Sequence, residues 1–201
     1  MASTPELILA SASVARANLL RAAGVAFAVE PASLDESMVK RAARKDGKTA
    51  IEAALALAAA KACAVSERFP FALVIGADQI LTAGEEWFDK PCDMTGASRQ
   101  LRALRGRRHT LATAVCVVRD GDMLWQAAVE PELTMRRFSD GFLADYLAAE
   151  GASLLGSVGA YRLEGRGVQL FARINGDHFA VLGLPLIELL GFLRDCRVVP
   201  A

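Results

Sequence analysis

Ser11, Ser13 and Arg16 lie in a hydroxyl-rich turn between the apolar run Leu7 to Ala10 and a stretch of good helix formers that stops at Gly24. At a strand-to-helix turn, hydroxyls, free backbone N–H groups and a guanidinium can converge on a phosphate; helix capping beside a solvated arginine uses the same residue types. Lys61 interrupts the apolar stretch 53 to 64. A lysine there either meets an anion or carries its ammonium to water along an apolar stem. Asp78 follows the apolar run Phe71 to Ala77 in Gly76-Ala77-Asp78, where a carboxylate has no packing role, and strand ends are where α/β folds hold ligands. Asp35-Glu36 is either a solvated turn or, with Asp78, one of the two separated acidic sites that a hard divalent cation takes. Lys90-Pro91 sets a cation in a stiffened loop, which serves equally well as a solvated face. His109 and His178 lack metal-ligand spacing and read as structural.

The elements that must position these groups follow from the pattern. Leu7 to Ala10 predicts a buried strand, Arg16 to Ala23 a helix, Val25 to Val29 a second apolar run, and Thr49 to Ser66 a long Ala-rich helix carrying Lys61. Phe71 to Ala77 predicts a strand ending at Asp78. Ile80 to Thr82 and Trp87-Phe88 flank Ala83-Gly84-Glu85 as a hairpin, and Thr95 is placed to cap a helix running to Leu104. His109 to Val118 and Met123 to Phe138 surround Asp120-Gly121, a dipeptide suited to a primed turn. Ser139 opens a helix through Ala149. The last third sets many glycines around short strand candidates before Pro185 opens a terminal helix through Arg194. Early alternation of strand and helix followed by hairpins predicts an α/β protein with a mixed sheet flanked by helices.

The chain has 201 residues, 53% of them apolar, which predicts one globular domain over 1–201. Lys and Arg total 23 against 23 Asp and Glu, so the overall field lacks the positive excess of a general nucleic-acid binder. No apolar run approaches the ~18 residues of a membrane span. Glu6 stands where a secretory signal carries positive charge, so no secretion is expected. Cys63, Cys92, Cys116 and Cys196 form no C-x-x-C pair and fit reduced structural thiols in the cytoplasm.

Taken in order, these segments resemble the Maf family of nucleoside triphosphate pyrophosphatases across essentially the whole chain. Leu9-Ala10-Ser11-Ala12-Ser13-Val14-Ala15-Arg16 is similar to the family's opening Leu-Ala-Ser-x-Ser-Pro-x-Arg. Leu34-Asp35-Glu36, Lys61-Ala62, Gly76-Ala77-Asp78 and Lys90-Pro91 follow in family order. Gly106-Arg107-Arg108-His109 with Thr113, Gly159-Ala160-Tyr161 and Val181 to Leu186 complete the series. The resemblance implies an elongated mixed sheet with two lobes around a central cleft, of the kind shared with inosine triphosphate pyrophosphatases, and a homodimer. It implies metal-dependent hydrolysis between the α- and β-phosphates to a nucleoside monophosphate and pyrophosphate. Carried over by motif, Asp78 activates water, Glu36 and Asp78 hold Mg²⁺ or Mn²⁺, and Ser11, Ser13, Arg16, Lys61 and Lys90 engage the triphosphate.

Several positions depart from the common pattern. Val14 replaces a proline, Ala15 stands where dTTP/UTP-type members have arginine, and Ser157 stands where many carry lysine. Gln79 and Glu164 resemble the branch acting on methylated GTP, and Ala15, Gln79 and Glu164 are therefore the expected base-specificity positions. A carboxylate at 164 can accept from the guanine N1–H and exocyclic amine. These features imply sanitation of modified or guanine-type nucleotides. The alternative is a nucleotide-binding regulator of septum formation with weak turnover.

Overall fold

Residues 6–200 are described by the computed structural model; the first five residues of the stretch read for a secretory signal, and Ala201, lie outside the described residues. The protein is α/β, with a mixed sheet flanked by helices. The chain divides into two compact units, the first comprising 1–79, 113–129 and 177–201, the second 80–112 and 130–176.

In the first unit β1 (Leu7–Leu9) pairs in parallel with β2 (Ala28–Val29) and with β3 (Leu73–Ala83). The N-terminal part of β3 belongs to this unit, as does the C-terminal part of β5 (Arg108–Arg119), which pairs antiparallel with β6 (Asp122–Val129). Asp120 and Gly121, at φ 52° and 79°, make the turn between β5 and β6; two positive φ values are what the Asp-Gly dipeptide permits. Helix α1 (Val14–Ala22) follows the Ser11-to-Ser13 turn, with Ser13 as its cap. Helix α3 (Ala50–Ser66) begins at a reciprocal cap, in which Thr49 Oγ1 accepts from the Glu52 amide and Glu52 Oε2 accepts from the Thr49 amide. Helix α7 (Leu186–Asp195) follows Pro185 as its spacing predicts. Leu9, Leu20, Ile75, Val115, Val117, Leu184 and Leu189 share the core of this unit.

In the second unit β4 (Glu86–Phe88) returns on the end of β3, and β7 (Glu132–Met135) lies between the start of β5 and β8 (Phe171–Asn175). Helix α4 (Met94–Leu104) packs on α5 (Asp140–Glu150) and on the short 3₁₀ turns at Gly151–Gly156 and Val158–Ala160, and α5 packs on the first of these turns.

Five expectations change. The strand through Phe71 to Ala77 does not end at Asp78: β3 runs to Ala83, because Ile80, Leu81 and Ala83 are buried and extend the apolar run past the polar pair. Asp93, not Thr95, caps α4, accepting from Gly96 N at 2.6 Å. Met123 to Phe138 is two strands, β6 and β7, divided at Pro131, which has no N–H for a continuous ladder. Residues after Asp35 form an additional helix, α2 (Glu36–Lys45). Before α7, the glycine-rich last third yields one strand, three 3₁₀ turns and the short helix α6 (His178–Val181) instead of several strands.

Candidate functional site

In the first unit, three sequence-distant segments meet around Lys61. Asp35 caps α2, its Oδ1 accepting from Ser37 N at 3.0 Å and from the Ser37 hydroxyl at 2.6 Å; this hydroxyl and backbone bonding holds its carboxyl below the usual range. The Asp35-Glu36 pair therefore divides its labour, with Asp35 building the helix start and Glu36, the first helical residue, reaching Lys61. Lys61 Nζ stands 2.7 Å from Glu36 Oε1 and 2.6 Å from Asp78 Oδ1. Side-chain exposure is 9% for Lys61 and 6% for Asp78, against 45% for Glu36. The second carboxylate oxygen of Asp78, Oδ2, is buried and has no hydrogen-bond partner. A buried carboxylate with one lone-pair set uncompensated is poised to take a proton or a cation.

The register that makes this contact is visible two residues earlier. Gly76 and Asp78 point to the same face of β3, while Ala58 and Lys61 lie one turn apart on α3. A Cβ at Gly76 would stand 2.0 Å from the Ala58 carbonyl oxygen and 2.9 Å from Ala62 Cβ. Glycine at 76 lets α3 lie directly on the strand, and that approach carries Lys61 to Asp78.

Arg16 joins the same unit from the β1–α1 turn. Its Nε donates to the Gly183 carbonyl at 2.7 Å and its NH1 to Ser11 Oγ at 3.1 Å. Ser11 Oγ also accepts from Ser13 N at 3.3 Å, and Ser13 Oγ accepts from Arg16 N at 3.4 Å. Ser11 and Arg16 are buried, and Ser13 is half-buried. Burial lowers the Arg16 pKa, and the charges of Asp78 and Glu36 oppose that shift. The turn thus supplies the cap that sequence allowed, but its arginine is buried and not the solvated one expected beside such a cap. Ala15, half-buried, is the second residue of α1.

Gln79 follows Asp78 and turns to the opposite face of β3, where its Nε2 donates to Thr113 Oγ1 at 2.8 Å, the Ala180 carbonyl at 2.9 Å and the Val181 carbonyl at 3.3 Å. Thr113, fully buried on β5, appeared in the sequence only as one residue of a motif.

The remaining candidates belong to the second unit. Lys90 is exposed in the segment between β4 and α4; the neighbouring Asp89 carbonyl accepts from Gln100 Nε2 at 2.7 Å. Gln100 Oε1 accepts from Gly159 N at 3.1 Å, so one α4 side chain ties the Lys90 segment to the Gly-Ala-Tyr turn. Gln100 had no motif signal in the sequence. Glu164 is exposed and its Oε1 accepts from Arg162 Nε at 3.2 Å. Its turn is tight: a Cβ at Gly167 would stand 2.3 Å from the Arg162 carbonyl oxygen. Glu150 Oε1 accepts from Arg166 N at 3.2 Å and braces the same turn. Ser157 donates to the Tyr161 carbonyl at 2.7 Å.

His109 is buried, 3.0 Å from the Tyr161 hydroxyl, with its pKa pushed down to about 4 by desolvation, consistent with a structural role. The four cysteines are free thiols.

Glu36 and Asp78 fit a divalent cation of the kind completed by substrate oxygens: two carboxylates, one carrying a buried unpartnered oxygen, and no group of three or more His, Cys, Asp or Glu among the described residues that would form an all-protein cage. No helix among the described residues is long and apolar enough to cross a membrane.

Comparison with known proteins adds a consistent set of similarities. The Maf-like protein family matches residues 6–196. A nucleoside triphosphate pyrophosphatase of Granulibacter bethesdensis is 52% identical over 190 residues, covering 94% of this chain and 96% of that protein. A nucleoside triphosphate pyrophosphatase of Paramagnetospirillum magneticum is 50% identical, covering 94% and 97%. A 7-methyl-GTP pyrophosphatase of Rhizobium etli is 48% identical over 196 residues, covering 98% of each. Among solved structures, a lipoprotein of Neisseria meningitidis aligns with 76% of the chain at 18% identity and a TM-score of 0.29, a similarity too low to bear on the fold.

Proposed function

Because the chain belongs to the Maf-like protein family, we propose that it is a nucleoside triphosphate pyrophosphatase, cleaving between the α- and β-phosphates to give a nucleoside monophosphate and pyrophosphate. The observation that carries this reading is the Glu36–Lys61–Asp78 cluster, with its buried unpartnered Asp78 oxygen, in the same unit as a buried arginine. A triphosphate resists attack until its oxygens are neutralised, and this cluster gathers cationic and carboxylate groups suited to that task.

Asp78 takes the proton of the attacking water at Oδ2, while Lys61 holds Oδ1 and fixes the orientation of the carboxylate. The water oxygen bonds to the α-phosphorus, and the α–β bridging oxygen leaves with pyrophosphate. Arg16, oriented by Gly183 and Ser11, offers its remaining guanidinium N–H groups to the phosphates, and the hydroxyls of Ser11 and Ser13 line the same turn. Lys61 completes the cationic set. A divalent cation, Mg²⁺ or Mn²⁺, held by Glu36, Asp78 and substrate oxygens would neutralise phosphate charge and acidify the attacking water.

Lys90 and Glu164 are assigned from motif order alone, Lys90 to the triphosphate and Glu164 to the base. Ala15 and Glu164 tilt the base preference to guanine-type substrates such as 7-methyl-GTP, the nucleotide in the name of the Rhizobium etli relative. Residues 1–201 form a single catalytic domain in this proposal, which the match of one family over residues 6–196 supports. The free cysteines fit a reducing cytoplasm, and the family pattern points to a homodimer. Incubation with 7-methyl-GTP, GTP, UTP and dTTP in Mg²⁺ or Mn²⁺, with separate quantitation of monophosphate, pyrophosphate and phosphate, tests the reading. Equimolar monophosphate and pyrophosphate support it; diphosphate with phosphate, or no turnover, contradicts it.

A further inference from the structure

Gln79 and Thr113 lie outside the phosphate and metal groups assigned above, yet their hydrogen bonds converge on one carbonyl. Gln79 Nε2 has three acceptors, Thr113 Oγ1 at 2.8 Å, Ala180 O at 2.9 Å and Val181 O at 3.3 Å. An amide nitrogen carries two hydrogens, so these contacts leave it no donor for a nucleobase. Thr113 Oγ1 accepts from Gln79 and passes its own hydrogen to Ala180 O at 3.1 Å. The Ala180 carbonyl also accepts from the Gly183 N–H at 2.9 Å. Gly183, at φ +105°, then turns its carbonyl to Arg16 Nε at 2.7 Å. A Cβ there would meet Arg16 Nε at 3.4 Å, and that φ disfavours any other residue.

The hydrogen bonds therefore run without a break from Gln79 and Thr113 through Ala180 and Gly183 to the guanidinium. All of these residues belong to one unit. We propose that Gln79 and Thr113 are positioning residues that fix the Ala180–Gly183 carbonyls and thereby aim Arg16 at the substrate's phosphates, so that residue 79 acts on phosphate engagement through Arg16. The inference rests on the reading of Arg16 as a phosphate ligand. A carbonyl that can shift leaves Nε without a fixed acceptor, and the planar fork of the guanidinium loses the orientation on which paired contacts to phosphate oxygens depend.

The test compares Thr113→Val, Thr113→Ser and Gln79→Met with the wild-type protein. Inorganic tripolyphosphate, which has no base, is titrated calorimetrically in Mg²⁺, and KM and kcat are measured for GTP and UTP. Thr113→Val and Gln79→Met should weaken tripolyphosphate binding about 3- to 10-fold, the worth of one or two neutral hydrogen bonds. KM for GTP and UTP should rise by the same factor while kcat changes less, and Thr113→Ser, which keeps the hydroxyl, should restore wild-type values. Thermal melting identifies any variant that fails to fold; if Thr113→Val does, Gln79→Met decides the matter. Unchanged tripolyphosphate affinity in a folded Gln79→Met protein, or a changed GTP-to-UTP ratio with that affinity intact, overturns the positioning role. If the wild-type protein neither binds tripolyphosphate nor hydrolyses any triphosphate, the phosphate-site reading itself falls and takes this inference with it.

Discussion

Lys61 Nζ lies 2.6 Å from Asp78 Oδ1, and both side chains are more than nine-tenths buried. Lys61 also has Glu36 at 2.7 Å, whereas Lys61 is the cation that compensates the buried Asp78 carboxylate at Oδ1. Lys61→Met leaves Asp78 as an uncompensated buried carboxylate and should destabilise the protein by about 3 to 5 kcal/mol. Adding Asp78→Leu to that variant should return part of the loss, because the charge that needed Lys61 is gone; the interaction energy from the four melting curves measures the coupling. Strictly additive effects would place the pair outside the buried-ion regime.

Gly76 sets the distance between those two residues. Gly76→Ala places a methyl where the Ala58 carbonyl and Ala62 now lie, so α3 must lift from β3. The expected cost is about 1 to 3 kcal/mol of overpacking, together with a loss of catalytic efficiency, since Lys61 moves with the helix. A variant with wild-type stability and turnover would show that the approach of α3 does not position the site.

How much of this arrangement the sequence showed depends on the range of the forces involved. The cap at Ser139, the start of the long helix near Thr49, the Asp120-Gly121 turn and the helix after Pro185 were legible, because each is set by neighbouring residues. Asp78 was recognised as a candidate for an incorrect structural reason: it sits within a strand, its charge answered by a lysine 17 residues away in sequence. Pro131 ended a strand inside a run whose apolar pattern continued past it. Thr113 and Gln100 act through partners 11 to 67 residues away, and neither has a side chain that announces such work in one dimension. The ordered motifs supplied what spacing could not.

Glu164 should govern base choice. Glu164→Gln replaces one acceptor oxygen with a donor facing the guanine amine; Glu164 is exposed without substrate, and once a bound guanine covers it the unpaired donor costs about 1 to 3 kcal/mol, so efficiency on guanine substrates should fall roughly 5- to 150-fold. UTP and dTTP should lose less or gain. The Arg162–Glu164 contact also weakens in this variant, so Arg162→Lys is the informative control. Equal changes on purines and pyrimidines would locate base reading elsewhere.

His109 makes stability pH-dependent. Its folded pKa of about 4 lies below the ordinary 6.5, because burial disfavours the imidazolium. Between those values the unfolded chain binds a proton that the folded protein does not, so this contribution is complete above 6.5 and is lost as pH falls towards 4. The slope should approach 1.4 kcal/mol per pH unit at most, for a total of roughly 3 kcal/mol. Denaturant unfolding of wild type and His109→Gln across this range isolates the effect: the wild-type excess slope should vanish in the variant, and parallel curves would contradict it.

The central claim is most directly tested at Asp78. With 7-methyl-GTP and GTP in Mn²⁺, release of monophosphate and pyrophosphate should be equimolar for the wild-type protein. Asp78→Asn, which keeps side-chain size and can still accept from Lys61, should remain folded by thermal melting and lose at least ~10²-fold in kcat, because its amide cannot take the proton from water. Near-wild-type pyrophosphate release by a folded Asp78→Asn protein would contradict the account and remove Asp78 from the reaction.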